Sequence, residues 1–223
     1  VGSAAFLCWL SERSVNKLPQ NSNLIFVGDL VDRGRKSKEV IDFVKDNNFL
    51  CVLGNHEKMM IDFLIEFEKI YPKFPSLNYH HRWINNGGKQ TLFSYEIIKI
   101  DSDGKIICTK DDKKFKKLME HFFWLKKLPL YLELPFKKNE KPIVITHSCA
   151  TDVWSKREKE LIFEEEVLWS RKEPKADAKI FNVFGHSIQK EIDITKHFIN
   201  VDTGCCYDKE GYGRLSAYCI EKD

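Results

Sequence analysis

The chain has 223 residues, of which 43% are hydrophobic and 31% are charged, and its formal net charge is +3. This length and hydrophobic content predict one domain over residues 1–223 with a large core, and they exclude wholesale disorder. Balanced charge without a basic stripe argues against nucleic acid as a partner, and no apolar run reaches the roughly 18 residues of a membrane span.

The predicted elements of the first third alternate between helices and strands. Apolar spacing predicts an opening helix over residues 3–17, and apolar runs at 24–27 and 50–53 predict buried strands. A helix N-capped by Ser37 follows the first strand, and a second helix with an apolar face follows Gly54-Asn55-His56. This alternation predicts an α/β sheet.

The rest of the chain is predicted to be a helical excursion followed by further strands. Residues 60–128 are interrupted by Pro72, Pro75 and the turn Asn86-Gly87-Gly88, and 115–128 is amphipathic. We therefore interpret 60–128 as a helical excursion over the sheet. Strands are predicted after it at 143–146, 179–184, 199–201 and 215–220.

Polar side chains follow four of the predicted strands, directly or within two residues. They are Asp29, Asn55, His147 and His186. A single His after a strand is more often structural than a ligand, but ligands of open α/β sheets bind beyond the carboxyl ends of the strands. Four strands would therefore bring four metal-capable side chains to one edge. One carboxylate, one amide and two imidazoles suit manganese, iron or zinc better than magnesium or calcium.

Two motifs around these positions resemble signatures of the phosphoprotein phosphatase family. Residues 28–34 read GDLVDRG and residues 54–57 read GNHE, like the family's second and third signatures, GDxVDRG and GNHE. Later motifs resemble its bacterial and phage-lambda-type branch, and they are Asn86-Gly87-Gly88, Thr146-His147, 167–171, 184–186 and 201–204. The resemblance covers nearly the whole chain. It implies an α+β, calcineurin-like metallophosphoesterase fold, with a β-sandwich flanked by helices.

The resemblance also implies a pair of divalent metal ions, with manganese as the usual activator and iron or zinc as alternatives. Asp29 would bridge the two ions, and Asn55, His147 and His186 would complete the second metal site. The family's first signature, GDxHG, supplies an Asp and a His to the first metal and is absent from this sequence. We expect it in residues that precede Val1. The alternative is a chain that holds only the second metal.

Catalytic roles follow from the same resemblance. His56 would be the general acid that protonates the leaving alkoxide, and Asp32 would hold its imidazole charged. Arg33 and Arg171 would bind phosphate oxygens through planar guanidinium groups, which Lys could not copy. A general acid contributes roughly 10²–10⁴-fold when the leaving group is a serine alkoxide.

We therefore expect an enzyme that hydrolyses phosphate monoesters, with phosphoserine and phosphothreonine of proteins as the implied substrates. One alternative is a symmetrical dinucleoside tetraphosphate hydrolase, a related branch that typically carries Ala in place of Asp32 and Asp in place of Glu57. The other is a metal-deficient module that binds phosphopeptides without hydrolysis. The seven cysteines are odd in number and form no CxxC pair, which favours free thiols in the cytoplasm.

Overall fold

A computed structural model describes residues 23–72 and 81–220. The predicted opening helix at 3–17 lies outside these ranges. The described part of the N-terminal third consists of strand β1 (Ile25–Phe26), helix α1 (Ser37–Asp46), strand β2 (Leu50–Cys51) and helix α2 (Asn55–Ile70). The two strands pair in parallel, so the predicted alternation of strands and helices is confirmed.

The start of α1 differs from its prediction. Ser37 is the first helical residue and not the N-cap, and Lys36 at the N-cap position makes no side-chain capping bond. The Ser37 hydroxyl lies instead 3.1 Å from Thr91 Oγ1 in a buried contact. The same hydroxyl accepts the backbone N–H of Asp32 at 3.3 Å, so it stabilises the loop before α1 and not the first turn of the helix.

The predicted helical excursion also contains a β-hairpin. A π-helical turn (Ile84–Gly88) leads into helix α3 (Lys89–Ser94), strands β3 (Ile98–Ile100) and β4 (Ile106–Cys108), and helix α4 (Asp112–Leu125). The two strands pair antiparallel across a turn in which the Asp101 carboxylate accepts the N–H groups of Asp103 and Lys105. Short apolar runs of three residues carried too little periodicity for this hairpin to be predicted.

The second half of the chain builds a five-stranded mixed sheet. Its strands are β5 (Tyr131–Lys138), β6 (Lys141–Thr146), β7 (Phe181–Phe184), β8 (Asp193–Ile194) and β9 (Phe198–Asn200), in the order β5-β6-β7-β9-β8. The central strands β6, β7 and β9 are parallel, and both edge strands are antiparallel to their neighbours. Helix α5 (Glu160–Trp169) lies between β6 and β7 in the sequence.

Two strand predictions in this half are corrected. Strand β5 was not predicted, because it contains Pro135, and the register of β5 against β6 shifts between Glu133 and Lys137 around that proline. The segment 215–220 was predicted as a strand but is not one. Its apolar residues Tyr218 and Ile220 pack against the core without pairing with a neighbouring strand.

The core explains why the strand ends are held together. Val52, next to β2, packs with Ile143, Ile145 and Val183 of the large sheet, so the two sheets share one apolar cluster. The opposite side chain of β6, Val144, packs with Phe163 and Val167 of α5. Helices therefore cover the sheet while its parallel strands end at a common edge. In the described ranges, no helix combines the length and hydropathy that crossing a membrane would require.

Candidate metal centre and phosphate site

Three buried metal-capable side chains meet at the carboxyl ends of the strands. Asp29 follows β1, His147 directly follows β6, and His186 follows β7. One potential ligand atom from each lies within 4.8 Å of the others. Asn55, the first residue of α2, adds a fourth group, since its Oδ1 atom lies 2.9 Å from His147 Nε2.

The hydrogen bonding of His147 suits a metal ligand. Its Nδ1 atom lies 2.7 Å from the backbone oxygen of Val27, which can only accept, so a neutral ring carries its proton on Nδ1. The Nε2 atom then presents a lone pair 2.9 Å from Asn55 Oδ1, 3.1 Å from His186 Nδ1 and 3.4 Å from Asp29 Oδ1. The potential ligand atoms of Asp29, His147 and His186 lie close enough together for one cation to contact all of them. A divalent metal fits this donor set.

The protonation states suit the same interpretation. Burial, together with the nearby His147 ring, lowers the pKa of His186 to about 3, so its imidazole is neutral and free to bind a metal. Burial alone would raise the pKa of Asp29, but the rings of His147 and His56 outweigh it and hold that pKa below its ordinary value. Asp29 is therefore a carboxylate.

Glu57 fixes the backbone around Asp29, a role that sequence reasoning missed. Its fully buried carboxylate accepts N–H groups from Asp29 at 2.8 Å and Gly54 at 3.0 Å on Oε2. On Oε1 it accepts those of Leu30 at 2.6 Å and Val31 at 3.2 Å. One side chain thus ties the loop after β1 to the start of α2. The GNHE motif includes this Glu, but the sequence analysis used it only to distinguish the phosphatase branch of the family from the tetraphosphate hydrolase branch.

Close backbone approach explains the glycine before Asn55. A Cβ atom at Gly54 would lie 2.4 Å from the backbone nitrogen of Asp29 and 2.5 Å from Glu57 Oε2.

Four predicted site residues have a left-handed backbone conformation, with φ between 56° and 74°, and they are Asp29, Asp32, Arg33 and His186. Such conformations cost about 1–3 kcal/mol each and concentrate at functional sites.

His56 and Asp32 form a buried pair beside the metal-capable cluster. The His56 Nδ1 atom lies 2.5 Å from Asp32 Oδ2, and its backbone N–H donates to Asp29 Oδ1 at 3.2 Å. Trp83 Nε1 and the Thr91 hydroxyl each donate to Asp32 Oδ1 at 2.8 Å. Burial alone would lower the pKa of His56, but Asp29 and the hydrogen-bonded Asp32 raise it above its ordinary value. The geometry therefore favours an imidazolium at His56.

The two predicted phosphate-binding arginines border the cluster from different elements. Arg171 donates from Nη1 to the backbone oxygen of His186 at 2.9 Å. Arg33 lies beside the π-helical turn, and a Cβ atom on Gly87, where φ is +113°, would come within 2.8 Å of Arg33 Cγ. Both arginines are exposed to solvent, so both have donors available for an anion.

Asp202 is a second buried residue that sequence reasoning left without a role. Its Oδ1 atom accepts the N–H of Gly204 at 2.9 Å, whereas Oδ2 has no hydrogen-bond partner among residues 23–72 and 81–220. Burial raises its pKa above the ordinary value, and Asp29 acts in the same direction. The VDTG motif at 201–204 contained this residue, but nothing in its spacing distinguished it from a turn.

Buried oxygen and nitrogen donors at a strand edge, next to a His–Asp pair and exposed arginines, are the arrangement of a metallophosphoesterase. The chain belongs to the calcineurin-like phosphoesterase family, whose sequence profile matches residues 4–190. A crystal structure described as that of a candidate diadenosine tetraphosphatase superposes with a TM-score of 0.54 at 17% identity, over 91% of this chain and 78% of that one. That likeness supports the fold alone.

The names of the curated relatives describe two kinds of activity, dinucleoside tetraphosphatase and protein phosphatase. A symmetrical bis(5′-nucleosyl)-tetraphosphatase of Actinobacillus pleuropneumoniae is 42% identical over 62 residues, which are 27% of this chain and only 23% of that protein. The asymmetrical bis(5′-nucleosyl)-tetraphosphatase PrpE of Anoxybacillus flavithermus is 27% identical over 95% of this chain and 80% of that protein. Serine/threonine-protein phosphatase 2 of Salmonella typhimurium is 29% identical over 85% of this chain and 78% of that protein.

Proposed function

We propose that this chain is a two-metal phosphatase that hydrolyses phosphoserine and phosphothreonine in proteins. The observation that carries the proposal is the convergence of potential metal-ligand atoms around His147 Nε2, beside a buried His56–Asp32 pair. The first feature calls for a cation and the second for a proton donor. Hydrolysis of a phosphate ester with a poor leaving group uses both.

Asp29, Asn55, His147 and His186 would hold the metal, with Asp29 shared between two ions. When bound, divalent ions supply a strong nucleophile from water and neutralise charge on the phosphoryl oxygens. The mixed carboxylate, amide and imidazole set fits manganese, which we propose as the activating ion, with iron or zinc as alternatives. Five cysteines in the described ranges are free thiols, which fits the cytoplasm as the compartment, and they are Cys51, Cys108, Cys149, Cys206 and Cys219.

His56 would donate the proton that the leaving serine or threonine oxygen needs. Asp32 accepts from its Nδ1 and leaves the opposite ring nitrogen for the substrate. Trp83 and Thr91 fix the Asp32 carboxylate, so the imidazole cannot turn away from the site. This pair is what supports monoesters over dinucleotides, because a nucleotide leaving group departs without a strong acid.

Arg33 and Arg171 would bind the phosphate oxygens from two sides. Each is anchored by contacts to the backbone of the site, and each presents a planar fork that matches two oxygens of a phosphate. Positive charge beside the acidic and imidazole groups would offset the negative charge of the phosphoryl group. The arginines would therefore lower KM and orient the ester for attack.

The proposal is tested by comparing three substrates in manganese. The protein should hydrolyse a phosphoserine peptide and p-nitrophenyl phosphate, and Asp29→Asn should abolish both activities and reduce the bound metal per chain. A dinucleoside tetraphosphate cleaved much faster than either monoester would favour the tetraphosphatase activity named for PrpE. One bound metal with no turnover of any substrate would favour a phosphopeptide-binding module.

A further inference from the structure

An open groove of about 550 Å³ adjoins the candidate phosphate site. It lies between the loop that follows β1 and the loop that follows β9, and we call it the basic groove. The side chains that give it its character are Arg33, Arg35, Tyr207, Asp208, Lys209 and Tyr212. Arg33 also borders a smaller cavity beside the π-helical turn, so its guanidinium stands at the boundary between the groove and the site.

The charge of the basic groove is positive and uncompensated. Three of its side chains are cationic and one, Asp208, is anionic. Within the described ranges, Arg33, Arg35 and Lys209 have no carboxylate at ion-pair distance, although many lysines elsewhere on the surface do. Exposed cations gathered around a concave surface without internal partners attract acidic ligands.

The aromatic rings of the groove are already engaged. The Arg33 guanidinium carbon lies 5.9 Å from the centre of the Tyr207 ring, and the Lys209 ammonium lies 5.7 Å from that of Tyr212. An edge carbon of each ring would also lie 3.3 Å from a Cβ atom at Gly204. Each ring therefore lies beside a cation that it helps to position, and Tyr207 keeps 40% of its surface exposed.

We propose that the basic groove binds acidic side chains next to the phosphorylated residue of a protein substrate. This inference rests on the proposed phosphatase function, because a phosphate held by Arg33 directs the adjoining peptide toward the groove. An extended peptide advances about 3.3 Å per residue, so carboxylates one to three positions from the phosphoserine reach the groove cations. The groove thus selects among phosphoproteins by their flanking charge.

The test uses two phosphoserine peptides that differ at two flanking residues, which are Glu in the Glu peptide and Gln in the Gln peptide. A third substrate, p-nitrophenyl phosphate, has no flanking residues. The wild-type kcat/KM should be about tenfold higher for the Glu peptide at low salt, and this preference should shrink as salt is added. The double variant Arg35→Glu/Lys209→Glu should abolish the preference while its rate on p-nitrophenyl phosphate stays within about twofold.

A matched control makes the same charge change elsewhere. Lys99→Glu/Lys105→Glu alters two exposed lysines of the β3–β4 hairpin, and it should retain the preference for the Glu peptide. Equal rates on both peptides in the wild type would overturn the inference while leaving the phosphatase function intact. The same holds if the groove variant impairs hydrolysis of a dinucleoside tetraphosphate and not of the Glu peptide. No hydrolysis of either peptide or of p-nitrophenyl phosphate would instead refute the proposed function itself.

Discussion

Burial and the nearby Asp29 raise the pKa of Glu57 to about 7, but four converging N–H donors favour its carboxylate form. Replacing Glu57 with Gln leaves the shape of the side chain nearly unchanged but removes this charge and one of its two acceptor atoms. Each carboxylate oxygen accepts two backbone N–H groups, from Asp29 and Gly54 on one side and from Leu30 and Val31 on the other. Whichever way the amide turns, its NH₂ group faces two buried donors. Two charge-assisted bonds are lost, at about 1.5–3 kcal/mol each, so we expect the free energy of unfolding to fall by about 3–6 kcal/mol.

This loss is measured by urea unfolding in the presence of a chelator, which separates folding from metal binding. A domain is typically stable by about 5–15 kcal/mol, so the variant should still fold in part, and calorimetry should show weaker manganese binding because Asp29 is no longer fixed. Glu39→Gln is the matched control, since Glu39 is exposed on α1 and its loss should change stability by less than about 0.5 kcal/mol. If Glu57→Gln unfolds within about 1 kcal/mol of the wild type and binds metal normally, the account of Glu57 as the anchor of this loop is wrong.

Three further predictions concern the catalytic pair, the phosphate contacts and pH. His56→Asn should lower kcat on a phosphoserine peptide by about 10²–10³-fold with both metals retained, and less on p-nitrophenyl phosphate, whose leaving group needs no acid; loss of metal would contradict the acid role. Arg171→Ala should raise KM about tenfold with unchanged thermal unfolding, and an unchanged KM would remove this residue from the phosphate site. Burial lowers the pKa of His121 to about 4, below its ordinary 6.5. The unfolded chain therefore takes up a proton first as pH falls, and stability should decline between about pH 6.5 and 4, more steeply in the wild type than in His121→Gln.

The strands that carry the site could be predicted because each is a short apolar run that ends in a polar residue. Strands of parallel sheets are buried on both faces and therefore appear in the sequence as apolar runs. Such runs predicted strands at 24–27, 50–53, 143–146 and 179–184, and the polar residues after them predicted the edge where these strands end. The apolar face of α2 was also predicted, since Met59, Phe63 and Phe67 recur at helical spacing. All three side chains are buried in the structure.

The remaining features depend on contacts between residues far apart in the sequence. Strand β5 pairs at an edge, and the register of its pairing with β6 shifts around Pro135, a residue that counts against a strand in the sequence. The bonds from Glu57 to the loop after β1 span 26 to 28 residues, and those from Trp83 and Thr91 to Asp32 span 51 and 59. The periodicity of apolar residues within one element does not predict a hydrogen bond between residues so far apart in the sequence. The basic groove likewise joins residues near 34 with residues near 208, and their proximity is a property of the fold alone.

The anchoring by Glu57 divides the molecule into a part that tolerates few changes and a part that tolerates many. Around Gly54 even one added methyl group would collide with main-chain and carboxylate atoms, whereas Arg35 and Lys209 stand in solvent with no carboxylate partner to lose among the described residues. Substitutions of the exposed residues in the basic groove can therefore accumulate without unfolding the chain. Substitutions around Gly54 and Glu57 cannot. The loop that positions Asp29 can therefore stay the same while the charge of the basic groove changes.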